Sequence, residues 1–158
     1  MAKPAVAAVR TAIKTRLATA YTGTSWHAYA KQYGNELMPA FIVFPVPRAA
    51  GWHLATAGDG SDGSCPIAYT FVIEVWAPIS GGVDKAQDMI DRIISPYGTD
   101  ALSIEGHLEN RAGTYNGDAL DLLETSTRCD QFMSYGFGAL NSDTNDAIVA
   151  RIPVEVFV

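Results

Sequence analysis

Apolar and polar residues alternate with two different periods along this 158-residue chain, and the changes of period mark its elements. Val6, Val9, Ile13 and Leu17 recur at three- and four-residue steps, which predicts an amphipathic helix over residues 4–20. Pro4 suits a first turn, and Gly23 stops the helix. Arg10, Lys14 and Arg16 populate its remaining surface. Residues 24–47 read as extended. Trp26, Tyr29 and Tyr33 lead to Pro39 and then to the apolar run Phe41–Phe44. Pro45 and Pro47 close that run, so a short strand near a sheet edge is expected. A second short strand is expected over Trp52–Thr56, and Ala57–Pro66, rich in Gly, Ser and Asp, should be an exposed loop.

The clearest period of two follows. Ile67, Tyr69, Phe71, Ile73 and Val75 share one face of a strand, with Thr70, Glu74 and Trp76 on the other. After Pro78 and Gly81-Gly82 the period lengthens again, predicting a helix to about Ile94 with Val83, Ala86, Ile90 and Ile93 buried. Pro96 ends it. A second short helix is expected from Thr99, whose hydroxyl can cap it, with Ala101, Ile104 and Leu108 inward. Gly113 and Gly117 mark loop, and a strand is expected over Leu120–Arg128, continuing toward Tyr135. The polar run Asn141–Asp146 reads as a hairpin tip. The chain closes on a strand with Ile148, Ala150, Ile152, Val154, Val156 and Val158 on one side. This order gives an α+β fold: one domain over residues 1–158, with an antiparallel or mixed sheet packed by an N-terminal helix and a central helix pair. A chain this long can build its own core without metal or disulfide.

Charge narrows the function. The net charge of −6 argues against affinity for nucleic acid, which depends on cations neutralising phosphates. The charge is also divided. Residues 1–58 hold six basic groups against the single acid Glu36, for +5, and residues 59–158 carry −11. Such a bipolar subunit could dock head to tail on its neighbours, although a basic first helix needs no partner to explain it. Cys65 and Cys129 match neither a zinc spacing nor a disulfide framework. No signal-peptide pattern or membrane-length apolar run is present, so cytosol-like surroundings without a membrane are expected.

The possible chemical motifs are weak. Gly58-Asp59-Gly60-Ser61-Asp62-Gly63 spells G-x-G-x-x-G. That motif needs a following helix and backbone amides aimed at pyrophosphate, whereas Pro66 and a strand follow here, and two aspartates would repel phosphate. Read as a calcium loop, the segment puts Gly63 where a ligand is required and Thr70 where the bidentate Glu belongs. Asp84, Asp88 and Asp91 share a helix face, but Lys85 and Arg92 interleave, so a solvated face is expected. His27, His53 and His107 fall in three elements, none at metal-site spacing. No catalytic residue, cofactor or metal is therefore expected.

Taken in order, several segments resemble the tail-terminator, or tail-completion, family of minor tail proteins of long-tailed bacteriophages. They are the helix from Val6 to Leu17, Pro39-Ala40-Phe41-Ile42-Val43 before Pro45, and the strand Tyr69–Val75. The helix containing Ala86–Ile90, broken at Ser95-Pro96, follows, then Leu102–Glu109 and the closing Ile152-Pro153-Val154-Glu155-Val156. Segments 57–66 and 129–146 lie outside the likeness. The resemblance implies a non-enzymatic virion protein, made in host cytoplasm, that forms a homo-hexameric ring. Such a ring caps the tail tube and joins it to the neck, with the tail tube protein and a neck or head-completion protein as partners and DNA only as passing cargo. Two alternatives are a head-completion or neck connector and, from a different class, a small enzyme or ligand-binding domain with an undisclosed pocket.

The final strand carries the assembly expectation. Pro153 has no N–H, which suggests a sheet edge or an irregularity, and an apolar edge needs cover. The expected interface is Phe41, Val43, Trp52, Val156, Phe157 and Val158, covered by another copy or a neighbouring tail protein.

Overall fold

The computed structural model describes residues 4–46, 53–54, 67–115, 126–130 and 134–158. The architecture is α+β. Helix α1 (Val6–Ala20) leads to β1 (His27–Tyr29), β2 (Ala40–Pro45), β3 (His53–Leu54) and the long β4 (Ile67–Pro78). Helices α2 (Val83–Ile94) and α3 (Ile104–Leu108) precede β5 (Ser126–Cys129), β6 (Ser134–Gly138) and β7 (Ala147–Phe157). Among the described residues, all seven strands lie in one mixed sheet ordered β1-β2-β4-β7-β5, with β3 beside β4 and β6 beside β7. Of these pairings only β1–β2 is parallel.

The period-two strands meet in register. Phe71 faces Val154, Ile73 faces Ile152, and Val75 faces Ala150. With Tyr69, Val156 and Ile148 they form one wall of the main core, and Val9, Ile13 and Leu17 of α1 and Ala86, Ile90 and Ile93 of α2 form the other. Each buried Val, Leu, Ile or Phe among them contributes about 1.5–3 kcal/mol. The opposite sheet face carries a smaller cluster of Ile42, Trp76, Ala147 and Val149, covered by Tyr29, Met38, Phe44 and Leu140. The loop before β2 is tied down through Glu36. One carboxylate oxygen accepts the backbone N–H groups of Tyr33 and Gly34, and the Glu36 carbonyl accepts from Asn141 Nδ2 at 2.8 Å. Burial alone would raise the Glu36 pKa, but these donors hold it below the ordinary carboxylate value.

Several expectations need correction. Helix α1 begins after Ala5, with Pro4 outside it, and two of its three cations leave the solvent face. Arg16 is buried, its guanidinium 3.8 Å above the Tyr115 ring and within 3.4 Å of the His107 carbonyl. Arg10 donates twice to the Val43 carbonyl, at 2.7 and 3.0 Å. β1 pairs with β2 only as far as Ile42, so that carbonyl has no strand partner, and the guanidinium takes its place. α3 starts at Ile104 rather than Thr99, capped by the Ser103 hydroxyl, and Ala101 and Val83 are exposed.

The strand order sharpens what was expected of the edges: β2 lies next to the end strand β1, and Pro153 marks an irregularity and not an edge. β2 lies between β1 and β4, and β7 is paired along its length with β4 and on its other side with β6 and β5. Pro153 fits because its nitrogen meets a break in the neighbour instead of the edge of the sheet. β5 pairs up to Cys129↔Val154, and β6 resumes at Ser134↔Arg151, a five-residue step facing a three-residue one. Asp130 N–H donates to the Pro153 carbonyl at 3.0 Å. The polar run at 141–146 does form the β6–β7 connection, with the Asp146 carboxylate accepting from the N–H groups of Leu140 and Asn141.

Candidate functional site

Four of the six residues expected at an interface are taken up inside the subunit. Phe41, Val43 and Val156 are wholly buried inside the subunit, and Val158 is nearly so. Each alternates onto the helix-covered face, where the main core claims it. Phe157 is half-buried, paired with Ala68 and Ser126. Trp52 lies outside the described residues, as do the Gly-rich segment 58–63, Cys65, Gly117, and most of the strands expected over 52–56 and 120–128.

The histidines are kept apart. His27 is exposed on β1, and His53 sits in β3. His107 is locked into the joint between α1 and α3. Its Nε2 lies 3.1 Å from the Ala101 carbonyl, so that nitrogen carries the proton, and Nδ1 lies 3.0 Å from the Tyr115 hydroxyl. Its ring packs edge-on to Tyr21, 5.3 Å away, and the Tyr21 hydroxyl donates to the Leu102 carbonyl at 2.7 Å. Burial raises the pKa of the Tyr21 hydroxyl, which keeps it a donor. The arrangement fixes α3 on α1 and leaves both ring nitrogens of His107 occupied.

Two hollows border α3. One, of about 390 Å³, is lined by Tyr97, Asp100, Ser103, Gly106 and His107. The other, of about 740 Å³, separates α3 from β5 and includes Glu105, Glu109, Arg111, Arg128 and Cys129. The charges of the second hollow are spent on one another. Arg111 bridges Glu105 at 2.8 Å and Glu109 at 2.6 Å, Arg128 reaches Asp130 at 3.3 Å, and Glu109 also accepts the Cys129 N–H at 2.8 Å. Burial pushes the Cys129 thiol up, away from nucleophilic thiolate. Among the described residues no three His, Cys, Asp or Glu converge as metal ligands, and no helix is long and apolar enough to cross a membrane.

Among the described residues, the sheet presents two ends without a further strand. At one end lies β1, and at the other β6 presents Tyr135 and Phe137, the latter 57% exposed. The strand expected to continue toward Tyr135 reached only the start of β6. The signal of β6 was the alternation in Ser134-Tyr135-Gly136-Phe137-Gly138, where glycine at every second position leaves large side chains on one face only. Among the described residues, Tyr33 and Leu37, on the loop before β2, are the most exposed large apolar groups. No protein-family model matches this chain, and no curated protein matches it.

Proposed function

We propose that this chain is a structural ring subunit of the tail-terminator kind, assembling with its own copies to cap a phage tail tube and join it to the neck, where it resides in the virion. The observation that carries the reading is the form of the sheet. Its described helices all cover one face, and its described ends carry strands whose backbone can take up further strands, so copies can be added side by side. The net charge of −6 suits a channel through which DNA slides, because acidic walls neutralise no phosphates.

The test is the mass and shape of the purified protein. Light scattering should return a closed particle of six subunit masses, and electron microscopy should show rings of uniform diameter. A monomer at all concentrations overturns the reading. The neck-connector alternative is separated by partner choice: a terminator ring binds the end of purified tail tubes, whereas a connector ring binds the head portal assembly.

A further inference from the structure

We infer that copies join head to tail through the sheet, the β6 edge of one subunit adding antiparallel to the β1 edge of the next, with Phe137 entering the hollow between α1 and β1. This rests on the assembly reading above and names its interface.

Backbone phase comes first. The Gly138 carbonyl accepts from the Asp146 N–H on the β7 side, so by strand alternation the N–H and C=O of Phe137 point away from β7, out of the sheet. At the other end, the His27 N–H donates to the Pro39 carbonyl, so the N–H and C=O of Ala28 point away from β2. Phe137 and Ala28 can therefore exchange two hydrogen bonds as an antiparallel pair.

Side-chain phase agrees. Phe137 stands opposite Ile148, and Ala28 opposite Phe41, and both partners belong to the helix-covered core. A Phe137–Ala28 pair thus puts both side chains on the helix side. There a hollow of about 330 Å³ runs along β1, lined by Ala18 of α1, by Tyr21 just past its end, and by Thr24, Trp26 and Ala28. An exposed aromatic ring meets a hollow with aromatic walls.

Direction agrees as well. β1 and β2 run together, and the β2–β4, β4–β7 and β7–β6 pairings each reverse direction, so β6 runs opposite to β1. Copies set side by side in the same orientation, as cyclic symmetry requires, bring β6 against β1 in antiparallel sense with no inversion.

Charge gives the sense of approach. Arg10, Lys14 and Ala18 form one stripe of α1. Arg10 reaches the outer side of β2, and Ala18 lines the β1 hollow, so this basic stripe overhangs the β1 end. Asp84, Asp88 and Asp91 form a stripe of α2, and Asp91 and Asp88 add to burial in raising the pKa of Tyr135 on β6. The acidic stripe therefore overhangs the β6 end. Joining the ends sets Lys14 toward the aspartates of the next copy, whereas β6 against β6 would oppose acid to acid.

The register predicts that Gly136 faces Tyr29 in a non-hydrogen-bonded pair, where Cα atoms approach to about 4.5 Å, within disulfide range. A Cβ built on Gly136 meets open space. In full-length protein with Cys65→Ser and Cys129→Ala, the double variant Tyr29→Cys/Gly136→Cys should oxidise to a ladder of linked multimers. An equal mixture of the two single variants should stop at dimers, and each alone should stay unlinked. If Tyr29→Cys does not fold, Lys31→Cys/Ser134→Cys probes the next pair of the same register.

Phe137→Asp should leave melting unchanged and yield monomers. A dimer from Gly136→Cys alone, or undiminished assembly by Phe137→Asp, overturns the inference. Closed rings that lack the cross-link end this interface and leave the ring reading standing. Cross-linked multimers of unlimited length keep the interface and end the ring, and monomers throughout end both.

Discussion

β7 and β6 lie side by side, yet the two strands serve opposite ends. β7 places Ile148, Ala150, Ile152, Val154 and Val156 in the main core and has strand neighbours on both sides. β6 has β7 on one side, glycines at Gly136 and Gly138, and an aromatic residue turned to solvent at Phe137. Apolar alternation therefore reports which face of a strand is buried. It does not report how many strands flank it. The strand that looked most in need of a partner is the one already satisfied, and the one open to a partner has the weaker pattern.

The largest test of this contrast is deletion of residues 156–158. Val156 and Val158 are buried, each worth about 1.5–3 kcal/mol, so the truncated chain should lose folding stability in denaturant titration, not merely assembly. A truncated chain of normal stability would show that the end of β7 is not core.

Ile152→Ala should cost about 2–5 kcal/mol, because Ile152 is buried opposite Ile73. An unchanged melting temperature would contradict the core assignment.

Glu36→Gln should cost about 1 kcal/mol by replacing charge-assisted hydrogen bonds with neutral ones beneath the loop that covers Val149. The folded pKa of Glu36 is depressed, so its contribution is complete above the unfolded value and lost as pH falls through the folded one. Comparing wild type with Glu36→Gln from neutral pH into acid should show the difference vanish at the acid end. A pH-independent difference would rule out the charge as its source.

The smallest effect belongs to β6. Phe137→Ala should change stability by no more than about 0.5 kcal/mol while weakening self-association, as read by sedimentation. A large loss of stability would place Phe137 in the core instead of at a surface.

Much of the fold was legible because it depends on local period. The span of α2, the inward face of β4, the inward face of β7 and the polar hairpin tip follow from spacing alone. The start of α3 was misplaced because Thr99 and Ser103 are both competent caps, but the Thr99 hydroxyl donates to the Pro96 carbonyl in a preceding turn and Ser103 accepts from Gly106 N–H. Arg10 and Arg16 misled for a related reason. A cation on an amphipathic helix defaults to solvent unless a carbonyl or an aromatic ring awaits it, and Val43, His107 and Tyr115 are far away in sequence.

By itself the sequence determined the α+β class, which side chains turn inward along the long strands and where the chain turns, since these follow from the period of side-chain direction in each element. Tertiary structure alone decided strand order. With it came the fate of Phe41, Val43 and Val156 as core, the break opposite Pro153, and the open ends at Ala28 and Phe137. Strand order is a matter of which distant backbones exchange hydrogen bonds. Those groups are the same in every residue but proline, so no local pattern of side chains encodes their partners.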